Sequence, residues 1–460
     1  MTKMNVRVLA LVLAALLPGC MVGPNYQRPH EDLPAQYGEP AKAGPIAVPQ
    51  KWWTAYNDPL LNELIEGGLQ RNADVREAAA RVEEAEAVMA QARAAYFPTV
   101  NGQAAATRGR QNVAGEFVTG TGYALGLSTT FELDIWGQLR RAERSARDTL
   151  LASQYGHDTV ALTLAATIAR TYFTALSLDS QYRASLEIAQ AADASYTLAR
   201  RRSEGGVGSE LDLSQAGSLR AAANAQAKEV SRLRATVVHE LGVLTGRLDV
   251  KIPSKQIEQL PIPPTPPAGL PSDLLERRPD VRTAEMQLAS ATERIGVARA
   301  AQFPTLSLTG ALGFQSNELS NLVSGGHKVW SIGGNLLGPI FDAGLYAART
   351  RQAEAQAHQA EAAYQRAVEN AFRDVSDALS NIELAAEEEK DLADAVRQTR
   401  DALRLSELRY ENGYSAYLEV LDAQRALNNQ QLAYIRNRQN YLSFTVDLMN
   451  ALGGGWTPPS

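Results

Sequence analysis

The apolar positions of this chain change period at well-defined points. Gly137 to Ser203 and Gly344 to Glu411 are runs of 67 and 68 residues without a proline, rich in Ala, Glu, Gln, Arg and Leu. In the second run Val368, Phe372, Val375, Leu379 and Ile382 fall at spacings of 4, 3, 4 and 3, the period of a coiled coil. Each run predicts a helix roughly 100 Å long at 1.5 Å per residue. Gly205-Gly206 and Asn412-Gly413 then supply left-handed stops, and Ser209 with Asp212 forms a capping-box-like restart. Returning helices follow near 209–246 and 415–452. They are shorter than their partners, and Ala-rich helices near 72–96 and 280–302 make up the difference.

Elsewhere the period drops to two. "RAAYFPTV" at 93–100 and "RAAQFPTL" at 299–306 place Pro98 and Pro304 after Ala-rich runs, where proline ends a helix and favours extended chain. Beyond them Tyr123, Leu125, Leu127, Phe131 and Leu133 alternate with small or polar residues, as do Leu306, Leu308, Leu312 and Phe314. Trp330, Ile332, Leu336 and Ile340 continue the pattern in a fourth segment. About ten residues of such alternation suit a transmembrane β-strand; a soluble sheet with one buried face shows it too. We expect one hairpin per half, near 98–134 and 304–341, with loops near 110–121 and 315–327. Four strands cannot close a barrel, so protomers must share one. Two copies give eight strands and a filled interior, and a conduit needs at least three copies.

The two halves are copies. "DVREA" at 74–78 and "DVRTA" at 280–284 lie 206 positions apart, and "SEGGVGSELDLSQA" at 203–216 aligns with "YENGYSAYLEVLDA" at 410–423. The expected organisation is a first repeat over 59–249, with its long helical hairpin at 137–246. A Pro-rich linker at 250–271 leads to a second repeat over 272–452, with its hairpin at 344–452, and a tail at 453–460.

The first residues alter this picture. Residues 1–19 carry Lys3 and Arg7 before an apolar run from Val8 to Leu17, a signal peptide too short to span a membrane. "LPGC" then sets Cys20, the only cysteine, where a bacterial lipoprotein carries lipid; an ordinary signal peptide with a chance cysteine is the other reading. A lipidated segment would thus cover 20–58. Met21 is not the aspartate that favours inner-membrane retention, which favours the outer membrane. Removing 1–19 deletes two positive charges and no negative ones, so the net charge of −6 becomes −8, which excludes a nucleic-acid binder by charge. "VALTLAATIARTYFTALSL" at 160–178 is apolar enough to suggest a spanning helix. Arg170 at its centre and the polar matching stretch of the second half favour a helix buried in protein.

With "CMVGPNYQRP" at 20–29, "WW…NDPLLNELI" at 52–65, "LDIWG" at 133–137, "PIFDAG" at 339–344 and "YLEVLDAQRAL" at 417–427, the chain resembles the outer membrane factors of tripartite efflux systems. These are of the TolC/OprM/NodT type, in the lipoprotein branch. The resemblance implies a mainly α fold with a transmembrane β part: a homotrimer with a shared 12-stranded outer-membrane β-barrel above an α-barrel tunnel of long antiparallel coiled-coil helices. It also implies passive export from a Gram-negative periplasm and a periplasmic adaptor protein. The inner-membrane pump would be of the RND type. The turns Gly205, Gly206, Val207, Gly208, Ser209 and Asn412, Gly413, Tyr414, Ser415 would meet the adaptor. Leu418, Asp422 and Arg425 would form the periplasmic gate. Cys20 would carry S-diacylglycerol and an N-acyl chain, and no other cofactor is expected.

No catalytic constellation is visible. His30, His157, His239, His327 and His358 lack metal-ligand spacing, so no metal site and no enzyme are expected. An exit duct for type I secretion or metal ions would look similar. A lipid-anchored periplasmic scaffold without a pore would not need the amphipathic strands.

Overall fold

Phe97-Pro98 and Phe303-Pro304 end their helices in the same way. In the computed structural model, which describes residues 21–30, 33–34, 36–38, 48–269 and 271–457, the last amides before each proline bond three residues back. Phe97 N–H donates to Ala94 O and Phe303 N–H to Ala300 O, both at 3.1 Å. Proline has no N–H to continue the helix, and a strand starts one residue later. Residues 1–19, the expected signal peptide, and Cys20 lie outside the described residues.

The elements recur in order. In the first half α1 (Pro59–Arg71) and α2 (Ala73–Ala94) precede β1 (Thr99–Val113), β2 (Glu116–Leu133), α3 (Gln138–Glu204) and α4 (Glu210–Thr245). The second half has one helical turn at Leu274–Arg277, then α5 (Pro279–Ala300), β3 (Thr305–Ser316), β4 (Lys328–Leu337), α6 (Leu345–Glu411) and α7 (Tyr417–Ala451). Both strand-to-long-helix junctions use an aspartate and a glycine. Asp134 accepts from the Leu139 and Arg140 amides, each at 3.0 Å, and Asp342 accepts from Gly344 and Tyr346 at 3.0 and 2.9 Å. Gly137 and Gly344 take φ of +80° and +85°, which a side chain would oppose.

The chain divides into two units: residues up to His30 with Ala80–Gln154 and Thr283–Gln365, and the remainder. The first holds a four-stranded antiparallel sheet in the order β1-β2-β3-β4, with β1 and β4 as open edges. Its register pairs Gly102 with Leu127, Leu127 with Leu312 and Leu312 with Trp330. One face therefore carries Leu125, Leu127, Phe131, Leu308, Leu312, Trp330, Ile332 and Leu336. These are not buried within the protomer, with Trp330 72% and Ile332 84% exposed. The other face carries Asn101, Gln103, Ser128, Thr130, Glu132, Ser307, Thr309 and Asn335.

Two strand expectations need correction. The first hairpin has no loop over 110–121: β1 and β2 run on to a two-residue turn at Ala114-Gly115, with φ of +54° and +96°. Two positive φ values match the twist of a tight hairpin, and Asn112 Oδ1 accepts the Gly115 amide at 2.8 Å. Ile340 does not extend β4, which stops at Leu337; Pro339 has no amide to offer the ladder.

The second unit has its core where α3 meets α1, α4 and α7. Trp52, Tyr56, Leu61, Ile65, Ile168, Tyr172, Phe173, Leu176, Leu241, Leu442 and Val446 are buried there. The apolar stretch 160–178 is thus a core helix, and Arg170 pairs with Asp447 of α7. Over 250–269 the Pro-rich stretch holds one 3-10 turn, Ile257–Gln259, and no helix or strand, and it buries Ile252, Ile257, Leu260 and Ala268. Asp58 caps α1 by accepting from the Leu60 and Leu61 amides, and it also bonds Tyr172 and Lys255. Burial alone would push its carboxyl up; the bonds from Lys255 and Tyr172 outweigh that and hold it below the ordinary value.

Candidate functional site

Both inter-helix turns are built from the same backbone device. Gly206 and Gly413 adopt φ of +74° and +77°. Val207 N–H reaches back to Arg202 O at 2.9 Å and Tyr414 N–H to Arg409 O at 2.8 Å, the longer bond of a Schellman stop. Only the second residue of each pair is left-handed; Gly205 and Asn412 are not, and Asn412 instead bonds Leu408 O through its side chain at 2.7 Å. Ser209 Oγ accepts from Leu211 N–H at 3.1 Å and restarts the chain as α4. Its counterpart Ala416 has no capping oxygen.

The side chains at the tips differ between the halves. Val207 and Tyr414 project, 73% and 78% exposed. Gly208 is tightly seated: an added Cβ would lie 2.8 Å from Ser203 N and 2.9 Å from the Arg202 carbonyl carbon. A bulky residue there would break the turn itself, so the projecting Val207 and Tyr414 are the positions that probe docking. Ser415 is half-buried. Below the second tip Tyr410 and Tyr417 are buried, with rings 5.4 Å apart, against Ala199 and Ala216. Arg202 lies 4.8 Å from the Tyr410 ring centroid and donates to its carbonyl at 3.2 Å. Burial pushes both tyrosine hydroxyls up in pKa, so they stay neutral. The aligned first-half residues are Ser203 and Glu210. The repeat alignment therefore hides this packing, although two aromatics flanking a turn were its signal.

Leu418, Asp422 and Arg425 share the exposed face of α7, while Tyr417, Val420 and Leu421 are buried on the other. Leu418 is 52% exposed and its repeat counterpart Leu211 is 63% exposed. Sequence reasoning did not single out Leu211, though the alignment pairs the two leucines. Asp422 and Arg425 form no ion pair with each other within the protomer; the bond across this turn is Arg409 to Glu419, at 3.3 Å.

In the first unit the segment after residue 20 is stitched into a slot. Val22 N–H donates to Trp136 O at 3.1 Å. Arg141, fully buried, donates to Gly23 O, Pro24 O and Asn25 Oδ1 at 3.0, 2.7 and 3.1 Å. It also pairs with buried Glu293 at 2.8 Å. Gly23 and Gly296 lie back to back, because a Cβ on Gly23 would come within 2.6 Å of Gly296 Cα. Pro98 and Pro304 stand at the helix-to-strand junctions, where Trp136 Nε1 donates to Pro304 O at 2.8 Å and the Trp136 ring stacks on Phe303. Burial, with Glu293 adding repulsion, raises the half-buried Asp148 to about 6. Among the described residues no group of three or more His, Cys, Asp or Glu side chains is placed to hold a metal ion.

A family description, outer membrane efflux protein, matches residues 64–247 and 270–454. The chain is 34% identical over 461 residues to the probable efflux pump outer membrane protein TtgC of Pseudomonas putida, covering 97% of this chain and 94% of that protein. It is 35% identical over 473 residues to the solvent efflux pump outer membrane protein SrpC of Pseudomonas putida, covering 99% of each. Among solved structures, the outer-membrane channel OprN superposes with a TM-score of 0.89 at 30% identity, over 95% of this chain and all (100%) of that one.

Proposed function

The chain belongs to the outer membrane efflux protein family, the outer-membrane channel components of efflux pumps, and from that premise we propose that three copies close one twelve-stranded barrel and one helical duct through which small molecules leave the cell. The observation that carries this reading is the open sheet. Among the described residues its β1 and β4 edges have no strand partner and its apolar face has no protein cover. In lipid each unpaired backbone group costs several kcal/mol, so the edges must pair with further copies. Eight strands would be filled by side chains, and twelve leave a lumen lined by the Asn, Gln, Ser and Thr face.

Cargo of the class named for SrpC, solvents, would be delivered by an inner-membrane pump of the RND type through a periplasmic adaptor. The adaptor would engage the two inter-helix turns. Lipid on Cys20 would add a membrane anchor. At the entrance, Leu418 would supply an apolar constriction and Asp422 a ring of three carboxylates. Asp422 and Arg425, unpaired with each other in the protomer, are both left available to a neighbouring copy, which supports a contact between subunits.

Replacing Leu418 and Asp422 with alanine tests the gate. Single-channel conductance in planar bilayers should rise and cation preference should weaken, with the trimer retained. Unchanged conductance and selectivity in that double variant would sink the gate assignment; a wild-type protein that is monomeric and conducts nothing would sink the duct.

A further inference from the structure

The apolar face of the sheet ends in positive charge. Following the register outward from the helices, Leu133, Phe131, Leu127, Leu125 and Tyr123 of β2 share this face with Leu306, Leu308, Leu312 and Phe314 of β3. On β1 the same face continues past Ala106, opposite Tyr123, to Arg108 opposite Thr121 and Arg110 opposite Thr119. On β4 it ends at Lys328, opposite Phe314. These three cations are exposed, and no strand residue on that face is acidic; Glu116 and Glu132 point to the other side. Among the described residues none of the three forms an ion pair, and Arg110 rests over the Phe117 ring at 5.2 Å.

Height decides what they meet. From Leu133 to Tyr123 the strand advances about 33 Å, or about 25 Å along the membrane normal at a tilt of roughly 40°, the height of an outer-membrane apolar band. Arg108 then stands about 5 Å beyond that band and Arg110 about 10 Å, the depth of a lipid headgroup. Lys328 starts just inside the band, where its long stem can carry the ammonium outward. A guanidinium at this depth offers a planar fork of donors suited to phosphate oxygens.

We propose that Arg108 and Arg110 on β1 of one copy and Lys328 on β4 of the next, brought together where these two sheet edges pair in the proposed barrel, form a binding site on its outer face for the phosphate groups of a phosphorylated glycolipid of the outer leaflet. The site rests on the proposed function: with the inter-helix turns meeting a periplasmic adaptor, the hairpin turns face the cell exterior. Charge complementarity selects the occupant: three cations without a counter-charge among the described residues, directly above an apolar wall that would hold acyl chains. A neutral sugar headgroup would leave the cations unmatched.

Native mass spectrometry of the detergent-solubilised full-length protein, titrated with bisphosphorylated lipid A and with the same lipid enzymatically dephosphorylated, tests this. The wild type should prefer the phosphorylated form by at least about tenfold. Arg108→Gln, Arg110→Gln and Lys328→Gln should each lose roughly fivefold, and the triple variant should lose the preference. Arg108→Lys with Arg110→Lys should keep most of it. Equal binding of the two lipids by the wild type overturns the proposal without any variant, and so does a triple variant that still discriminates. Conductance in phosphatidylcholine bilayers is read separately: selective lipid binding by a protein that conducts nothing would refute the duct and leave this site standing.

Discussion

Arg141→Met is the most informative single change outside the channel. The guanidinium is fully buried, and its partner Glu293 retains 8% of its side-chain exposure. Removing it leaves a carboxylate buried without a counter-charge, and leaves Gly23 O, Pro24 O and Asn25 Oδ1 without their donor. Breaking a buried pair in this way costs about 3–5 kcal/mol. The loss falls on residues 22–25, while Tyr26 and Arg28 stay tied to Glu285, so it should emerge as local opening rather than global unfolding. At 1.36 kcal/mol per power of ten, amide exchange protection of residues 22–25 should fall by roughly 2.2 to 3.7 powers of ten. Val22 N–H, bonded to Trp136 O, is the amide to watch. Changing Glu293→Met as well removes the stranded charge, and should recover about 2 kcal/mol even though the carbonyls remain unserved. Hydrogen exchange with mass spectrometry on the detergent-solubilised protein reads both. Unaltered protection in the single variant, or a double variant as open as the single, would show that the ion pair does not hold this segment.

Two carboxylates should respond to pH in opposite senses. Asp148 has its pKa raised in the fold, so its ionisation penalty is absent below the ordinary 3.8, grows with pH and is complete above about 6. Asp148→Asn should therefore raise stability by about 2 kcal/mol at pH 7, after discounting for partial exposure, and leave it unchanged near pH 3.5. Asp58 is lowered, so its contribution is present above the ordinary 3.8 and lost as pH falls below it. Asp58→Asn should cost about 1.5–3 kcal/mol at pH 7 and progressively less in acid; thermal melts across pH of the two variants check both signs. At the tips, Val207→Glu with Tyr414→Glu should leave trimer stability within about 0.5 kcal/mol, because both side chains project into solvent. Export in cells carrying the pump and adaptor should drop severalfold, and undiminished export would argue against docking there.

What could be read from residues alone was whatever a local backbone rule imposes. Pro98 and Pro304 end helices because proline lacks an N–H, wherever the chain goes next. Gly206 and Gly413 stop helices because the turn demands positive φ. The first hairpin tip was misread because its rule was disguised: Ala114 takes a left-handed conformation that composition gives no reason to expect, and the polar, Gly-rich strand around it looks like a loop. Arg140 and Arg141 show the same limit for side chains. They are adjacent in an Arg-rich run, yet Arg140 bonds the nearby Asp134 while Arg141 is enclosed by a segment more than a hundred residues away. Asp422 and Arg425 have the spacing of a helical ion pair, but spacing only permits a bond, and here both side chains stay in the open.

The internal duplication separates these two kinds of information. Where the halves agree (the FPT turns, the Asp–Gly junctions, Gly206 with Gly413, the exposed leucines Leu211 and Leu418), the shared residue is set by backbone conformation or by an environment that both copies face. Where they differ, the neighbour differs. Glu210 is exposed at the start of α4, whereas its counterpart Tyr417 is buried at the start of α7 against Ala199 and Ala216 of the first half. A strictly symmetric tip would offer no reason to bury aromatics on one copy alone, so the two turns have unequal surroundings within a protomer. It follows that Leu418, which stands beside the buried pair, has a more firmly held base than Leu211. Of two leucines placed alike by the repeat, the one on α7 is the better suited to hold a fixed constriction, and the one on α4 to yield to a partner.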